Sequence, residues 1–163
     1  MNQAGETPAL LIIGIGNPSR GDDALGPLFV NALRDQLPPT FANQVDFLDD
    51  YQLQVEHALD LVGRSQVLLV DASLTASAPF EVHALQATVD ESISTHSLSP
   101  QALMQVYQNL QGTLPPPCLL LAIRGDRFEL GEPPSASALQ HLAAALTWAQ
   151  HALRVGRGTG FAL

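Results

Sequence analysis

Hydrophobic residues fall into two kinds of stretch that alternate along most of this chain. Short continuous apolar runs are typical of strands buried on both faces of a sheet, and they predict strands at 10–15, 44–48, 67–70, 80–85 and 118–123. Longer segments with apolar side chains at helical spacing predict helices at 25–37, 53–62, 100–110 and 135–153. The alternation predicts an α/β fold, a three-layer α/β/α sandwich with a mostly parallel sheet of about five strands.

Residues that favour helix ends indicate where several of these helices begin. Ser99 stands directly before Pro100, and this pair is typical of a cap followed by the first helical position. Ser135 is expected to open the last helix in the same way. Asp22 is expected to cap the helix at 25–37.

The composition indicates one folded domain. The 163 residues are 46% hydrophobic and 14% charged, against roughly 25% charged in an average soluble domain. We find no internal repeat, and expect a single domain at 1–155 with a flexible C-terminal tail at 156–163.

Charge excludes several classes of function. The net charge is −9, and all seven basic residues are arginine, so binding to a nucleic-acid backbone is not expected. The absence of lysine also excludes a Walker phosphate loop and a Schiff-base enzyme.

No feature of the sequence indicates an oxidising compartment or a membrane. Cys118 is the only cysteine, so no intrachain disulfide can form. The apolar run at 10–13 is too short for a signal-peptide core, and no run approaches the roughly 20 residues that span a bilayer. We expect a cytoplasmic protein without a membrane partner.

Three residues far apart in sequence are candidate ligands of a divalent cation. Asp23 follows the first predicted strand, Asp71 closes the third, and His96 lies in a polar loop ahead of a helix. Because the carboxyl ends of parallel strands meet at one edge of a sheet, the two carboxylates are expected to face the same edge. A mixed set of oxygen and nitrogen donors suits nickel or zinc. Glu56 and His57 are further candidates for the site.

The segment Gly14-Ile15-Gly16-Asn17 also invites a dinucleotide-binding interpretation. Ser19 stands where that fingerprint needs its third glycine, and the acids that follow would repel a pyrophosphate. We instead expect Gly16 to allow a sharp turn and Asn17 to bond the local main chain.

These residues resemble the hydrogenase maturation endopeptidases, which trim the large subunit of [NiFe] hydrogenases. The family signature is a strand, then G-x-G-N, a short spacer, and an acidic pair before a helix that carries a glycine. It is matched here by Gly14 to Asn17, then Asp22-Asp23 and Gly26. The family's V-D-A and S-T-H contexts are matched by Val70-Asp71-Ala72 and Ser94-Thr95-His96. The resemblance covers roughly residues 10–153.

The resemblance implies an aspartyl-type endopeptidase that removes the C-terminal extension of a nickel-loaded [NiFe]-hydrogenase large-subunit precursor. It gives Asp23, Asp71 and His96 both the catalytic and the metal-contacting roles, with nickel supplied by the substrate and zinc or another divalent cation as a substitute. One segment departs from the family: residues 49–54 stand where many members have a loop rich in glycine and threonine. That loop is a candidate for recognising the particular hydrogenase.

Two other functions stay open from the sequence. The first is a non-catalytic, metal-sensing chaperone that docks on the same large subunit without shortening it. The second is an enzyme like peptidyl-tRNA hydrolase, which also opens with a strand and G-x-G-N-P, although an acidic chain is poorly suited to tRNA. The oligomeric state is not indicated by the sequence.

Overall fold

The computed structural model of the protein describes residues 6–87, 98–157 and 160–161. Within them a single five-stranded sheet runs in the spatial order 2-1-3-5-4. Its strands are β1 (Leu10–Ile15), β2 (Val45–Asp50), β3 (Gln66–Ser73), β4 (Phe80–Ala84) and β5 (Cys118–Arg124). β2, β1, β3 and β5 are parallel, and β4 pairs antiparallel with β5 at the edge. The predicted mostly parallel sheet is confirmed.

Helices cover both faces of this sheet. They are α1 (Leu25–Gln36), α2 (His57–Asp60), α3 (Pro100–Gln111) and α4 (Ala136–Val155). α1 and α4 share one hydrophobic cluster with the sheet, and α2 and α3 share the other. The three-layer α/β/α arrangement is therefore confirmed.

β1 shows why the central strands need continuous apolar runs. Leu10 and Ile12 belong to the cluster under α1 and α4, whereas Leu11 and Ile13 belong to the cluster under α2 and α3. All four are fully buried. Burying each such side chain stabilises the fold by about 1.5–3 kcal/mol, so a polar residue at any of these positions would be costly.

Two of the three predicted helix caps are present. The Ser99 Oγ accepts a hydrogen bond from the Ala102 N–H at 3.1 Å, and the Ser135 Oγ accepts one from the Ala138 N–H at 3.2 Å. The expectation that Asp22 caps α1 is wrong. A short 3-10 turn, Gly21–Ala24, precedes α1, and no side chain caps its first turn. Asp22 has another role, described with the site below.

The bounds of two elements, α2 and β3, differ from those predicted from the sequence. The helix expected at 53–62 is regular only over α2, because the residues before it form turns that follow β2. β3 continues through Ser73, so Asp71 lies inside its last part and pairs in register with Ala122.

The C-terminal segment contributes to the core at one position. Phe161 is buried, and its ring stacks on Trp148 with centroids 5.4 Å apart. Its N–H donates to the side-chain oxygen of Gln66, which ties the chain back to the start of β3. Periodicity did not predict this contact, because Phe161 stands alone after the last helix.

Within the described parts of the chain, no helix combines the length and hydrophobicity that a membrane crossing requires.

Candidate active site

The turn after β1 depends on Gly16. Its φ of +144° is a conformation that L side chains rarely adopt, and a Cβ there would lie 1.8 Å from the carbonyl oxygen of Asp23. The Gly16 N–H donates to the carbonyl oxygen of Asp50 at 3.0 Å, which keeps the turn tied to β2. Gly16 therefore lets the chain pass directly against the backbone of Asp23.

The same turn orients the carboxylate of Asp23. The Asn17 N–H donates to Asp23 Oδ2 at 2.9 Å, and the Asn17 side-chain oxygen accepts from the Ser19 N–H at 2.9 Å. The expected local bonding by Asn17 is thus confirmed. The hydrogen bond from Asn17 holds the carboxylate of Asp23 in place. Asp23 as a residue is only partly buried.

A second close approach places α1 on the end of the sheet. A Cβ on Gly26 would lie 2.3 Å from the carbonyl oxygen of Ile15, and one on Gly14 would lie 2.4 Å from the carbonyl oxygen of Gly26. The two glycines let the first turn of α1 rest directly on the end of β1. The spacing of glycines in the motif is therefore a packing requirement that brings Asp23 to the sheet edge.

Asp71 reaches the same edge from β3, and its environment disfavours the charged form. Burial is the larger cause and the negative charge of Asp23 the second, and together they raise the pKa of Asp71 to about 7. The N–H of Ala72 opposes this shift through a hydrogen bond. The two predicted carboxylates are therefore brought near enough to repel each other. A proton or a cation at Asp71 would relieve that repulsion.

Asp22 joins the turn after β1 to the segment between β5 and α4. Its carboxylate is fully buried and accepts four hydrogen bonds from the segment between β5 and α4. The donors are the N–H groups of Asp126, Arg127 and Ser135, at 2.8, 3.1 and 2.6 Å, and the Ser135 hydroxyl at 2.9 Å. Burial alone would raise the pKa of Asp22, but these hydrogen bonds outweigh it and lower the pKa.

Backbone hydrogen bonds also hold the short turn at Gly21–Ala24 against the segment between β5 and α4. The N–H of Asp22 also donates to the carbonyl oxygen of Arg127 at 2.7 Å, and that of Gly21 donates to the carbonyl oxygen of Glu132 at 2.9 Å. The residue next to Asp23 is thereby locked onto a loop more than a hundred residues away. Local sequence carries no signal of this role, because the partners are all distant in the chain.

The turns after β2 are organised by His57, a further candidate from the sequence. His57 is buried; its Nδ1 accepts from the Gln54 N–H at 2.8 Å, and its Nε2 lies 3.4 Å from Asp50 Oδ2. Both ring nitrogens are thus engaged within this segment, which is a structural role. Glu56 is exposed at the start of α2.

A cavity of about 190 Å³ opens beside Asp71, on the face of the sheet that α2 and α3 cover. Its lining consists of Ile15, Gln52, Leu53, Leu69, Asp71, Leu98, Ser99, Pro100 and Leu120. Sequence reasoning did not predict this cavity, since its walls come from three strands, a turn and the start of α3.

His96 lies outside the described residues, so its predicted place beside Asp23 and Asp71 stays a prediction. Across 6–87, 98–157 and 160–161, no group of three histidine, cysteine or acidic residues is arranged to hold a metal ion. Two carboxylates of the predicted set, Asp23 and Asp71, are nevertheless near enough to interact. Their oxygen atoms could bind a divalent cation whose coordination shell is completed by a further ligand.

Comparisons with known proteins identify the fold. No protein-family model matches the sequence, and no curated protein sequence matches it either. The structure is similar to that of a [NiFe] hydrogenase maturation protease HycI from Thermococcus kodakarensis KOD1, with a TM-score of 0.69 and 21% identity over 96% of this chain and 94% of that one. It is also similar to the hydrogenase maturating endopeptidase HybD from E. coli, with a TM-score of 0.68 and 23% identity over 90% of this chain and 93% of the other. The chain has the fold of the hydrogenase maturation proteases.

Proposed function

We propose that the protein is an endopeptidase that removes the C-terminal extension of a nickel-loaded [NiFe]-hydrogenase large-subunit precursor. One observation carries the proposal: the carboxylates of Asp23 and Asp71 interact at the carboxyl edge of a sheet whose fold is shared with such proteases. The resemblance of the sequence motifs points to the same activity and adds His96 as the third residue of the site.

The chain's own residues would bind and orient the precursor. Asp23, held by the Asn17 N–H, and Asp71, on a central strand, would contact the nickel that the precursor carries, together with His96. Zinc or another divalent cation would fit the same donors. The cation, when present, supplies Lewis acidity that polarises the scissile carbonyl. Because the nickel belongs to the substrate, a precursor without nickel would lack part of the site and would stay uncleaved.

A processing assay tests this function. Nickel-loaded precursor is incubated with the wild-type protein and with Asp23→Asn, Asp71→Asn and His96→Ala variants, and its intact mass is measured. We expect the wild-type protein to shorten the precursor and each variant to lose most of that activity. Asp35→Asn is the matched control, because Asp35 is an exposed carboxylate on α1, and it should process normally. Full processing by all three site variants would refute the proposal.

The same assay separates the enzyme from a chaperone. A metal-sensing chaperone would bind the nickel-loaded precursor and leave its mass unchanged. Rapid cleavage of nickel-free precursor would contradict the requirement for nickel while leaving the peptidase activity in place.

A further inference from the structure

The C-terminal end of α3 carries the apolar face of that helix beyond the core. Leu103 and Tyr107 are buried, and Leu110 follows them at the same helical spacing, yet Leu110 is 61% exposed. Gly112, with a φ of +71°, ends the helix. Residues 109–114 are all exposed. These six residues form a tip that presents a large aliphatic side chain to solvent.

An apolar groove of about 380 Å³ lies beside this tip. One wall is residues 85–87, just after β4, and a second is α3 at Met104 and Gln108. The third wall is the segment 114–117, which leads into Cys118 at the start of β5. Since an apolar cavity of about 150 Å³ holds a benzene ring, the groove has room for a leucine side chain and part of its neighbours. The tip and the groove are a knob and a hole on one surface.

This surface carries no charge in a strongly acidic chain. Residues 98–123 contain no acidic, basic or histidine side chain, and residues 85–87 contain none either. The chain as a whole has a net charge of −9. Two copies that meet through their acidic surfaces bring like charges within the Debye length, which is about 8 Å at physiological ionic strength. Contact through the tip and groove avoids that repulsion.

The polar groups of this surface can pair with themselves. Gln105, Gln108, Asn109 and Gln111 lie on α3, and each amide both donates and accepts hydrogen bonds. Gln105 Nε2 already donates to Asn109 Oδ1 at 3.0 Å. Two identical chains related by a twofold axis need self-complementary groups of this kind, which carboxylates, as acceptors only, do not supply. A basic partner would instead gain from the acidic surfaces elsewhere, so the occupant that fits is a second copy of this chain.

The surface lies away from the candidate active site. Cys118 begins β5, whereas Asp71 pairs in register with Ala122, four residues further along that strand. At about 3.3 Å per residue, the groove and Asp71 are about 13 Å apart along the sheet. A partner seated on the groove would therefore leave the carboxyl edge accessible. The inference does not depend on the proposed function.

We propose that the tip and groove form the interface of a symmetric dimer, in which Leu110 of each copy fills the groove of the other. The twofold arrangement uses both knobs and both holes, so it closes at two copies. The interface is small, and we expect a dissociation constant on the order of 10–100 µM. At about 1 µM the chain is then almost entirely monomeric, and unfolding measured there reports on a single copy.

Sedimentation equilibrium of the full chain, from about 1 µM to about 500 µM, tests the dimer by mass action. The mass should rise from 17.4 kDa toward twice that value and no further. Raising NaCl from about 0.05 M to about 0.5 M should tighten association several-fold, because salt screens the repulsion between the acidic copies. A wild-type chain that stays monomeric throughout, or one that forms a continuing series of larger species, would overturn the proposal.

Substitutions locate the interface. Leu110→Glu puts a carboxylate into the apolar groove of the partner and should weaken association by about tenfold or more. Leu139→Glu makes the same change at an exposed leucine of α4, in the opposite layer, and should associate like the wild type. Leu114→Glu, on the wall of the groove, replaces Leu110→Glu if circular dichroism shows that variant to be poorly folded. Wild-type association of the folded tip or wall variant would refute this interface.

A pair of complementary variants tests the packing itself. Gln108→Arg adds a cation to the wall of the groove. When it is mixed with labelled Leu110→Glu, the new glutamate of one copy meets the new arginine of the other, while the second knob and hole keep their wild-type residues. The mixture should associate about tenfold more tightly than Leu110→Glu alone. A mixture that associates no better would overturn the insertion of Leu110 into the groove.

Precursor processing separates a second copy from another occupant of the groove. Leu110→Glu should process nickel-loaded precursor like the wild type, because the groove is remote from Asp71. A monomeric wild-type chain together with lost processing in Leu110→Glu would assign the groove to the precursor and refute the dimer. Failure of the wild-type chain to cut the precursor would refute the proposed function, while a dimer sensitive to Leu110→Glu would still support this inference.

Discussion

Replacing Asp71 by asparagine should stabilise the metal-free protein increasingly as pH rises. The pKa of Asp71 is raised from 3.8 to about 7, chiefly by burial and secondly by the charge of Asp23. The folded state therefore holds a proton that the unfolded state has already released. The sign follows directly: wild-type stability declines as pH rises from about 4 to about 7 and then levels off. Asparagine has no charge to bury and avoids this decline.

The magnitude follows from the size of the shift. A rise from 3.8 to about 7, at about 1.4 kcal/mol per pKa unit, corresponds to roughly 4 kcal/mol when the shift is fully expressed. Relaxation around a partly buried group reduces this, and part of the decline has already occurred at pH 4.5. The stability difference between Asp71→Asn and wild type should therefore grow by about 2–3 kcal/mol between pH 4.5 and pH 8.

Urea unfolding of both proteins in EDTA, across this pH range, measures that growth. Titrating groups that do not interact with Asp71 behave alike in both proteins and cancel in the difference. A fixed effect of the asparagine amide shifts the difference equally at every pH and does not change its growth. Asp35→Asn, on the exposed surface of α1, should show a difference that stays within about 0.5 kcal/mol at every pH. If the stability difference between Asp71→Asn and wild type is constant, or shrinks with rising pH, then folding does not raise the pKa of Asp71 and this reasoning is refuted.

Three further perturbations test the surroundings of the site. Asp22→Asn should lower the free energy of unfolding at pH 7 by about 2–3 kcal/mol, because its amide would face a backbone donor; urea unfolding should show this cost disappearing only below about pH 4, since the pKa of Asp22 is lowered, and an equal cost at pH 3 would contradict the hydrogen-bond account. Gly16→Ala should cost about 3 kcal/mol or more by thermal or urea unfolding, whereas Gly112→Ala, with a positive φ but nothing within 4 Å of the new Cβ, should cost only about 1–2 kcal/mol; equal costs would argue against the close contact with Asp23. Phe161→Ala should cost about 3 kcal/mol and change the fluorescence of Trp148, while the exposed Leu114→Ala stays within about 0.5 kcal/mol; an unchanged emission spectrum would mean that Phe161 does not stack there.

The layers of the fold were predictable because each element carries its own pattern. The central strands are buried on both faces, and this leaves continuous apolar runs that differ clearly from the helical spacing of α1 and α4. The 53–62 segment was less predictable. Its apolar residues suggested a full helix, but Leu59 is exposed and His57 turns inward to bond the segment that precedes it. Tertiary contacts decided that conformation.

Some residues of the candidate site were likewise predictable from the sequence, and others were not. Asp23 and Asp71 could be chosen from sequence because each comes after a run of apolar residues, and parallel topology brings the carboxyl ends of such strands to one edge. The role of Asp22 could not be predicted from sequence, since its four hydrogen-bond donors lie 104–113 residues further along the chain. The cavity beside Asp71 also depends on register between strands. His96 lies outside the described residues and stays a prediction.

The proposed function requires that this protein shorten a hydrogenase large subunit and use Asp71 to do so. The most direct measurement is the intact mass of the nickel-loaded large subunit from cells that lack this protein and are supplied with the wild-type chain or with Asp71→Asn. We expect the C-terminal extension to persist in the deletion and with Asp71→Asn, and to be removed with the wild-type chain. A large subunit of mature mass in all three would contradict the account.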